Sequence, residues 1–239
     1  MRTAVALVIG LCLSLDPYGQ TTVRLKDSSD WWSLNNEHFP DSTPGLVDKA
    51  FNTNNFRILS LSLDTVDADS VASTLGRVQI VERGNASYSR SQMCYASSEG
   101  TEKSYLIFEF GEGQSATFYL FRGRANWTGE NLCVRSRAVN EKLSTGAGLK
   151  LGLSRGAVIA ILGKPDYEKG DRIAYSRRFY RTATKQEFET ARREYPEALS
   201  DEAAHKQFGR IPVTMQLEGR FNSDRLTYLY VSTAMLNVD

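Results

Sequence analysis

Metal-binding residues are scarce in this chain, which has two histidines and three cysteines among 239 residues. A structural zinc site normally takes four cysteine or histidine ligands at short, regular spacings, and the sequence offers no such set. P-loop, dinucleotide-binding and H-E-x-x-H motifs are also missing from it. We therefore expect neither a metal nor another cofactor.

Neither sign of charge predominates, because 29 Lys and Arg residues stand against 28 Asp and Glu residues, for a net charge of +1. Proteins that bind nucleic acid generally carry a clear excess or stripe of positive charge, since they neutralise phosphates. We therefore do not expect nucleic acid as a partner.

Long apolar runs are missing as well. Residues 4–15 form an apolar run behind Arg2, too short for a transmembrane helix of about 20 residues but suited to a secretion signal. We place the cut near residues 14–20, and the alternatives are a lipid anchor at Cys12 or an uncleaved apolar anchor. The prediction is an exported protein, periplasmic or secreted, with no transmembrane segment after signal removal.

Removal of the signal leaves two cysteines, Cys94 and Cys133. In an oxidising compartment such a pair is most simply one disulfide. It would close a loop of roughly 40 residues and stabilise the fold by about 3–4 kcal/mol in the chain-entropy model. Two buried free thiols are the alternative.

An internal repeat is the most informative feature of the sequence. Residues 71–90 overlay residues 158–177, with six of twenty positions identical. Each copy has a helix-capping residue, Asp67 or Ser154, before a short apolar-periodic run that ends at a glycine. The identical pairs are Val71/Val158, Leu75/Leu162, Gly76/Gly163, Tyr88/Tyr175, Ser89/Ser176 and Arg90/Arg177.

Strand patterns follow each of these helices, with closing hairpins predicted at residues 105–122 and 213–232. The predicted fold class is therefore α+β, with two tandem helix-plus-antiparallel-sheet units. A signal peptide at 1–20 and a polar arm at 21–55 precede the first unit, 56–134. The second unit spans 135–239.

The second unit carries an insertion at residues 182–210. Thr184 and Glu187 have the spacing of a capping box, which predicts a helix that Pro196 ends. The insertion is either a contact surface or a helical hairpin that covers the sheet.

Side chains that commonly anchor protein interfaces are Trp, Tyr and Arg. Trp31 and Trp32 would alternatively dock the polar arm onto the core, and the candidate arginines would alternatively pair with neighbouring carboxylates. The candidate interaction residues are Trp31, Trp32, Arg177, Arg178, Arg181, Tyr195, Tyr228 and Tyr230.

Ser154 lies within a G-x-S-x-G pattern, which is typical of a nucleophile elbow. His205 would supply the base of a periplasmic serine hydrolase. The first repeat has Asp67 at the position of Ser154, and this exchange suits a helix cap better than a nucleophile. We therefore take the hydrolase as the alternative and predict no catalytic residue.

Residues 153–165, followed by Tyr175, resemble the signature of the BamE (SmpA/OmlA) family. Two such units and the closing strand at residues 226–230 also resemble the β-lactamase inhibitor protein (BLIP) family. The resemblance implies a helix-plus-antiparallel-sheet fold and a role in binding proteins. The leading hypothesis is an exported, non-enzymatic protein–protein interaction module whose partner is not specified. A carrier of a small ligand or lipid, with a cavity between sheet and helices, is a further alternative.

Overall fold

A continuous β-sheet dominates the computed structural model, which describes residues 22–24, 53–85, 88–100, 102–111, 116–123, 129–194 and 209–235. The strands in these ranges are β1 (Thr22–Arg24), β2 (Arg57–Ile58), β3 (Leu61–Ser62), β4 (Ile80–Asn85), β5 (Tyr88–Ser97), β6 (Ser104–Gly111), β7 (Ala116–Arg122), β8 (Val134–Ser136), β9 (Tyr167–Lys169), β10 (Arg172–Thr182), β11 (Arg210–Asn222) and β12 (Arg225–Met235). The helices are α1 (Ala68–Leu75), α2 (Arg155–Leu162) and α3 (Lys185–Glu194), with short 3-10 helices at Thr53–Phe56 and Gly129–Leu132. None of these helices is long and apolar enough to cross a membrane.

The ten-stranded sheet runs in the order β1-β4-β5-β6-β7-β12-β11-β10-β9, with β8 beside β5. Pairing is antiparallel except for β1 with β4 and β5 with β8. Strands β2 and β3 form a separate small hairpin.

The predicted fold class, two tandem helix-plus-antiparallel-sheet units, is wrong. Strand β7 pairs with β12 from Phe121 opposite Tyr228 to Ala116 opposite Thr233, so the two halves form one mostly antiparallel sheet. Only three short helices accompany it in the described ranges. The physical reason is that two separate sheets would each leave an apolar edge strand unpaired, whereas pairing those edges satisfies their backbone groups.

The middle strands of this sheet are buried on both faces. Leu106 and Phe108 of β6 point to the first face, which packs against α1, α2 and residues 138–153, whereas Tyr105 and Ile107 point to the opposite, second face. A strand covered on both sides needs a nearly continuous apolar run, and the Ser104–Gly111 sequence has one.

Helices α1 and α2 begin and end as the sequence predicts. The Asp67 side chain accepts a hydrogen bond from the Ser70 amide at 2.8 Å, and the Ser154 hydroxyl accepts one from the Ala157 amide at 3.2 Å. The terminal glycines have φ angles of +97° at Gly76 and +82° at Gly163, where a side chain would be strained. Both cap predictions are confirmed.

The repeat differs in register from the sequence overlay. The hydroxyl of Tyr95 donates to the Gly76 carbonyl at 2.8 Å, and the hydroxyl of Tyr175 donates to the Gly163 carbonyl at 2.9 Å. Tyr175 therefore corresponds to Tyr95, whereas the overlay aligned it with Tyr88. The glycine and tyrosine are 19 residues apart in the first half and 12 in the second. An ungapped overlay cannot follow that difference in hairpin length.

Candidate interaction surface

The second face of the sheet carries a row of aromatic side chains across β6, β7 and β12. The rings of Tyr105 and Phe121 stack at 5.4 Å between centroids, and those of Phe121 and Tyr228 lie 6.4 Å apart. Arg220 of β11 continues the row, with its guanidinium 4.9 Å from the Tyr228 ring centre. Tyr228 is only 2% exposed. This predicted interaction residue is therefore a packing residue.

Two buried carboxylates lie on the same face, each held by arginine. Glu109 accepts hydrogen bonds from Arg90 at 2.6 Å and from the Gln92 amide. Glu218 accepts one from Arg172 at 3.0 Å and one from Arg220 at 2.5 Å. Because both charges are compensated within the sheet, they fix the arrangement of neighbouring strands rather than offering charge to a ligand.

Tyr230, the second predicted tyrosine of β12, belongs to this face as well. Its ring lies 5.3 Å from that of Tyr119, and burial raises the pKa of its hydroxyl. It is a packing residue like Tyr228.

The predicted basic cluster at residues 177–181 is not an open patch. Arg177 is 4% exposed and pairs with Asp166, and burial lowers the pKa of its guanidinium. Arg181 forms a two-pronged ion pair with Glu187 of α3. The alternative that these arginines pair with neighbouring carboxylates therefore holds for both. The side chain of Arg178 lies outside the described residues.

Four other residues named from the sequence cannot be placed. Trp31, Trp32, Tyr195 and His205 all lie outside the described residues. The predicted disulfide is confirmed: Cys94 and Cys133 are bonded, with their Cα atoms 4.5 Å apart.

The hydroxyl of Ser154 is used as a helix cap. It accepts the Ala157 amide, and its backbone is extended, with φ −70° and ψ 157°. A nucleophile elbow instead holds its serine on a sharp, strained turn between a strand and a helix. The local geometry at Ser154 is that of a capping residue.

The end of the ribbon formed by β10 and β11 carries the exposed aromatic residue that the sequence prediction missed. Strand β9 pairs only with Arg172–Ala174 of β10, and β12 pairs with β11 only from Val213 onward. Residues 178–182 and 210–212, which we call the ribbon tip, extend past both neighbours.

Within the ribbon tip, Tyr180 is 49% exposed and Arg210 lies over its ring, 5.0 Å from the centroid. Strand alternation indicates that Tyr180 shares the second face with Tyr228. It does not reveal that the neighbouring strands β9 and β12 both end before they reach the level of Tyr180.

Helix α3 follows the ribbon tip directly. The Thr184 hydroxyl accepts the Glu187 amide at 3.3 Å, while the Glu187 carboxylate accepts the Thr184 amide at 2.8 Å. The predicted capping box is thus confirmed. The hydrogen bond from Arg181 lowers the pKa of Glu187 to about 2. No residue of α3 is buried, and the helix is joined to β10 by the ion pair between Glu187 and Arg181.

A groove of about 960 Å³ lies between the β5–β6 turn and residues 137–153. Its walls carry charges of both signs, and Arg122 pairs there with Glu102 at 2.5 Å. A lipid or apolar-ligand carrier needs an apolar cavity, and this groove is not one. The charged residues in its lining are Glu99, Glu102, Arg122, Arg137, Glu141, Lys142 and Lys150.

The described residues contain no group of three or more side chains that could hold a metal ion. Comparisons of this chain with family models, curated proteins and solved structures gave no match.

Proposed function

We propose that this chain is an exported, non-enzymatic protein-binding module whose contact surface is the ribbon tip together with α3. The observation that carries the proposal is Tyr180, a half-exposed tyrosine with Arg210 stacked on its ring. Tyrosine and arginine are among the residues that most often dominate binding energy at protein interfaces.

The burial of the other aromatic side chains sharpens this choice. Tyr105, Phe121 and Tyr228 are at most 2% exposed, so a partner could not reach them without opening the sheet. Tyr180 presents a large amphipathic ring on a ribbon that β11 holds in place along its whole length. An anchor that is already ordered loses little conformational entropy on binding.

The disulfide supports the export part of the proposal. Cys94 and Cys133 are bonded, and such bonds persist mainly in oxidising compartments. The apolar run at residues 4–15 has the length of a secretion signal, which would direct the chain out of the cell. The likeness to BamE and β-lactamase inhibitor sequences, families that bind proteins, agrees with the binding role.

Capture of partners from the native cell envelope tests the proposal. The full mature chain serves as bait, beside the double variant Tyr180→Ala, Arg210→Ala. The matched control is Val134→Ala, which removes a 41% exposed side chain at the opposite edge of the sheet. We expect a saturably bound protein that the double variant loses and the control keeps. Equal capture by both variants, or no saturable partner, would refute the proposed surface.

A further inference from the structure

The outer edge of β10 is open over much of its length. Strand β11 pairs with β10 without a register shift from Arg172 to Thr182, but β9 covers the other edge only at Arg172–Ala174. No strand in the described part of the chain pairs with residues 178–182 on that side. An edge with unpaired N–H and C=O groups is a template for another strand.

Alternate residues of β10 direct their backbone groups toward this open edge. The Ala174 carbonyl accepts the Asp166 amide at 3.0 Å, and the Ser176 amide donates to the Asp166 carboxylate at 2.9 Å. By the strand repeat, Arg178 and Tyr180 direct their N–H and C=O groups the same way. No strand of the described ranges pairs with these groups.

The other half of the sheet adds a strand of its own chain at the corresponding edge. Strand β8 pairs with β5 beyond the end of β4, with Val134 opposite Tyr95. Tyr95 corresponds to Tyr175, because both hydroxyls donate to the glycine carbonyl that ends a helix. By this correspondence the place of β8 is residues 175–177 of β10, where the Asp166 side chain accepts the Ser176 amide, and residues 178–182 lie just past it. The fold therefore already uses strand addition at one of the two equivalent edges.

The charges around the open edge favour an acidic occupant. Arg210 leans over Tyr180, and no carboxylate of the described residues pairs with it. Glu187 of α3, which follows the ribbon tip in the chain, is engaged by Arg181. Carboxylates on an added strand would form ion pairs with Arg210, whereas the arginines of a second copy of this edge would repel those of the first.

We propose that residues 178–182 of β10 accept an extended, acidic segment of a partner protein as an additional strand. This rests on the proposed function, for which it supplies the mode of binding and the chemistry of the partner. Main-chain hydrogen bonds would give affinity, and pairing with Arg210 and packing on Tyr180 would give selectivity.

Fluorescence anisotropy with two labelled heptapeptides tests the mode. One alternates Glu and Val and the other alternates Lys and Val. We expect saturable binding of the Glu–Val peptide and at least about tenfold weaker binding of the Lys–Val peptide. N-methylation of alternate Glu–Val amides should abolish binding to the unchanged protein, because it removes the donors that an added strand needs.

A matched pair of variants tests the edge from the protein side. Arg178→Pro deletes one outward N–H group at an edge position where proline is tolerated, while Arg178→Ala keeps that group. Proline should weaken Glu–Val binding about thirtyfold, and alanine by less than about fivefold. Circular dichroism checks that each variant folds. If the proline variant does not fold, the N-methylated peptide decides.

The outcomes separate this inference from the proposed function. Partner capture that is lost in Tyr180→Ala, Arg210→Ala but kept in a folded Arg178→Pro variant would sink strand addition and leave the ribbon tip as a side-chain site. Loss in both supports strand addition. Retention in both overturns the two proposals together. Glu–Val binding that is absent, or unchanged by N-methylation, also overturns strand addition.

Discussion

Removal of the disulfide is the sharpest test of how this sheet is stabilised. Cys94 lies in the middle of β5 and is 3% exposed, and Cys133 directly precedes β8. The bond therefore ties the short edge strand β8 to the sheet. The variant to make is Cys94→Ala, Cys133→Ala, because alanine places no new hydroxyl against the aromatic row of the second face.

The size of the effect follows from the loop that the bond closes. The cysteines are 39 residues apart. In the chain-entropy relation, the bond lowers the conformational entropy of the unfolded chain by about 13 cal/mol/K. Its removal should therefore lower the free energy of unfolding by about 3.9 kcal/mol at 25 °C. For a domain of this size each kcal/mol moves the melting temperature by about 2–4 °C, so the variant should melt about 8–16 °C lower.

Urea and thermal unfolding, followed by circular dichroism, measure this change. The unchanged protein in reducing buffer is the matched control and should behave like the variant. Amide hydrogen exchange adds a local readout: protection at Val134–Ser136 should fall more than at Leu229, which lies between two paired strands. A free-energy loss below about 1 kcal/mol would refute the loop-entropy reasoning. Equal loss of protection at both sites would refute the assignment of the bond as a clamp on β8.

Three further predictions concern single side chains. Tyr95→Phe and Tyr175→Phe each remove one hydrogen bond to the carbonyl of a helix-ending glycine. Each should lower the free energy of unfolding in urea by about 1 kcal/mol. A loss at only one of the two sites would contradict their equivalence. The free energy of unfolding of Ser154→Asp should lie within about 0.5 kcal/mol of that of the unchanged protein, whereas Ser154→Ala should lower it by about 1 kcal/mol. If Asp destabilises the protein as much as Ala does, the capping role is excluded. The pKa of Glu187 is lowered from 4.5 to about 2, chiefly by the hydrogen bond from Arg181. The contribution of the ionised carboxylate to folding stability is therefore complete above pH 4.5 and is lost as the pH falls toward 2. Melting scans between pH 5 and 2 should show a steeper loss than in Glu187→Gln, and identical profiles would refute the pairing.

Local chemistry made several elements predictable from the sequence. The caps at Asp67 and Ser154, the glycines that end α1 and α2, and the capping box at Thr184 depend on contacts between residues close in the chain. Such contacts form whatever the rest of the fold does, so residue type and spacing suffice to predict them.

The candidate site was much less predictable. The sequence favoured Arg177, Tyr228 and Tyr230 because of their residue types, yet all three are engaged in packing or ion pairing. Tyr180 has the same chemistry and is half exposed. Strand alternation shows which side chains share a face, but exposure depends on where neighbouring strands end, and that is set by long-range pairing.

Both ends of α1 and α2, the closing hairpins and the cysteine pair could be predicted from residue order alone, because each follows from the chemistry of a few residues or from a simple count. Three features emerge only in the folded chain: β7 pairs with β12, Tyr175 corresponds to Tyr95, and β9 leaves the edge of β10 uncovered past Ala174. These depend on which strand edges meet, and the local pattern of a strand is the same whether or not its edge is paired.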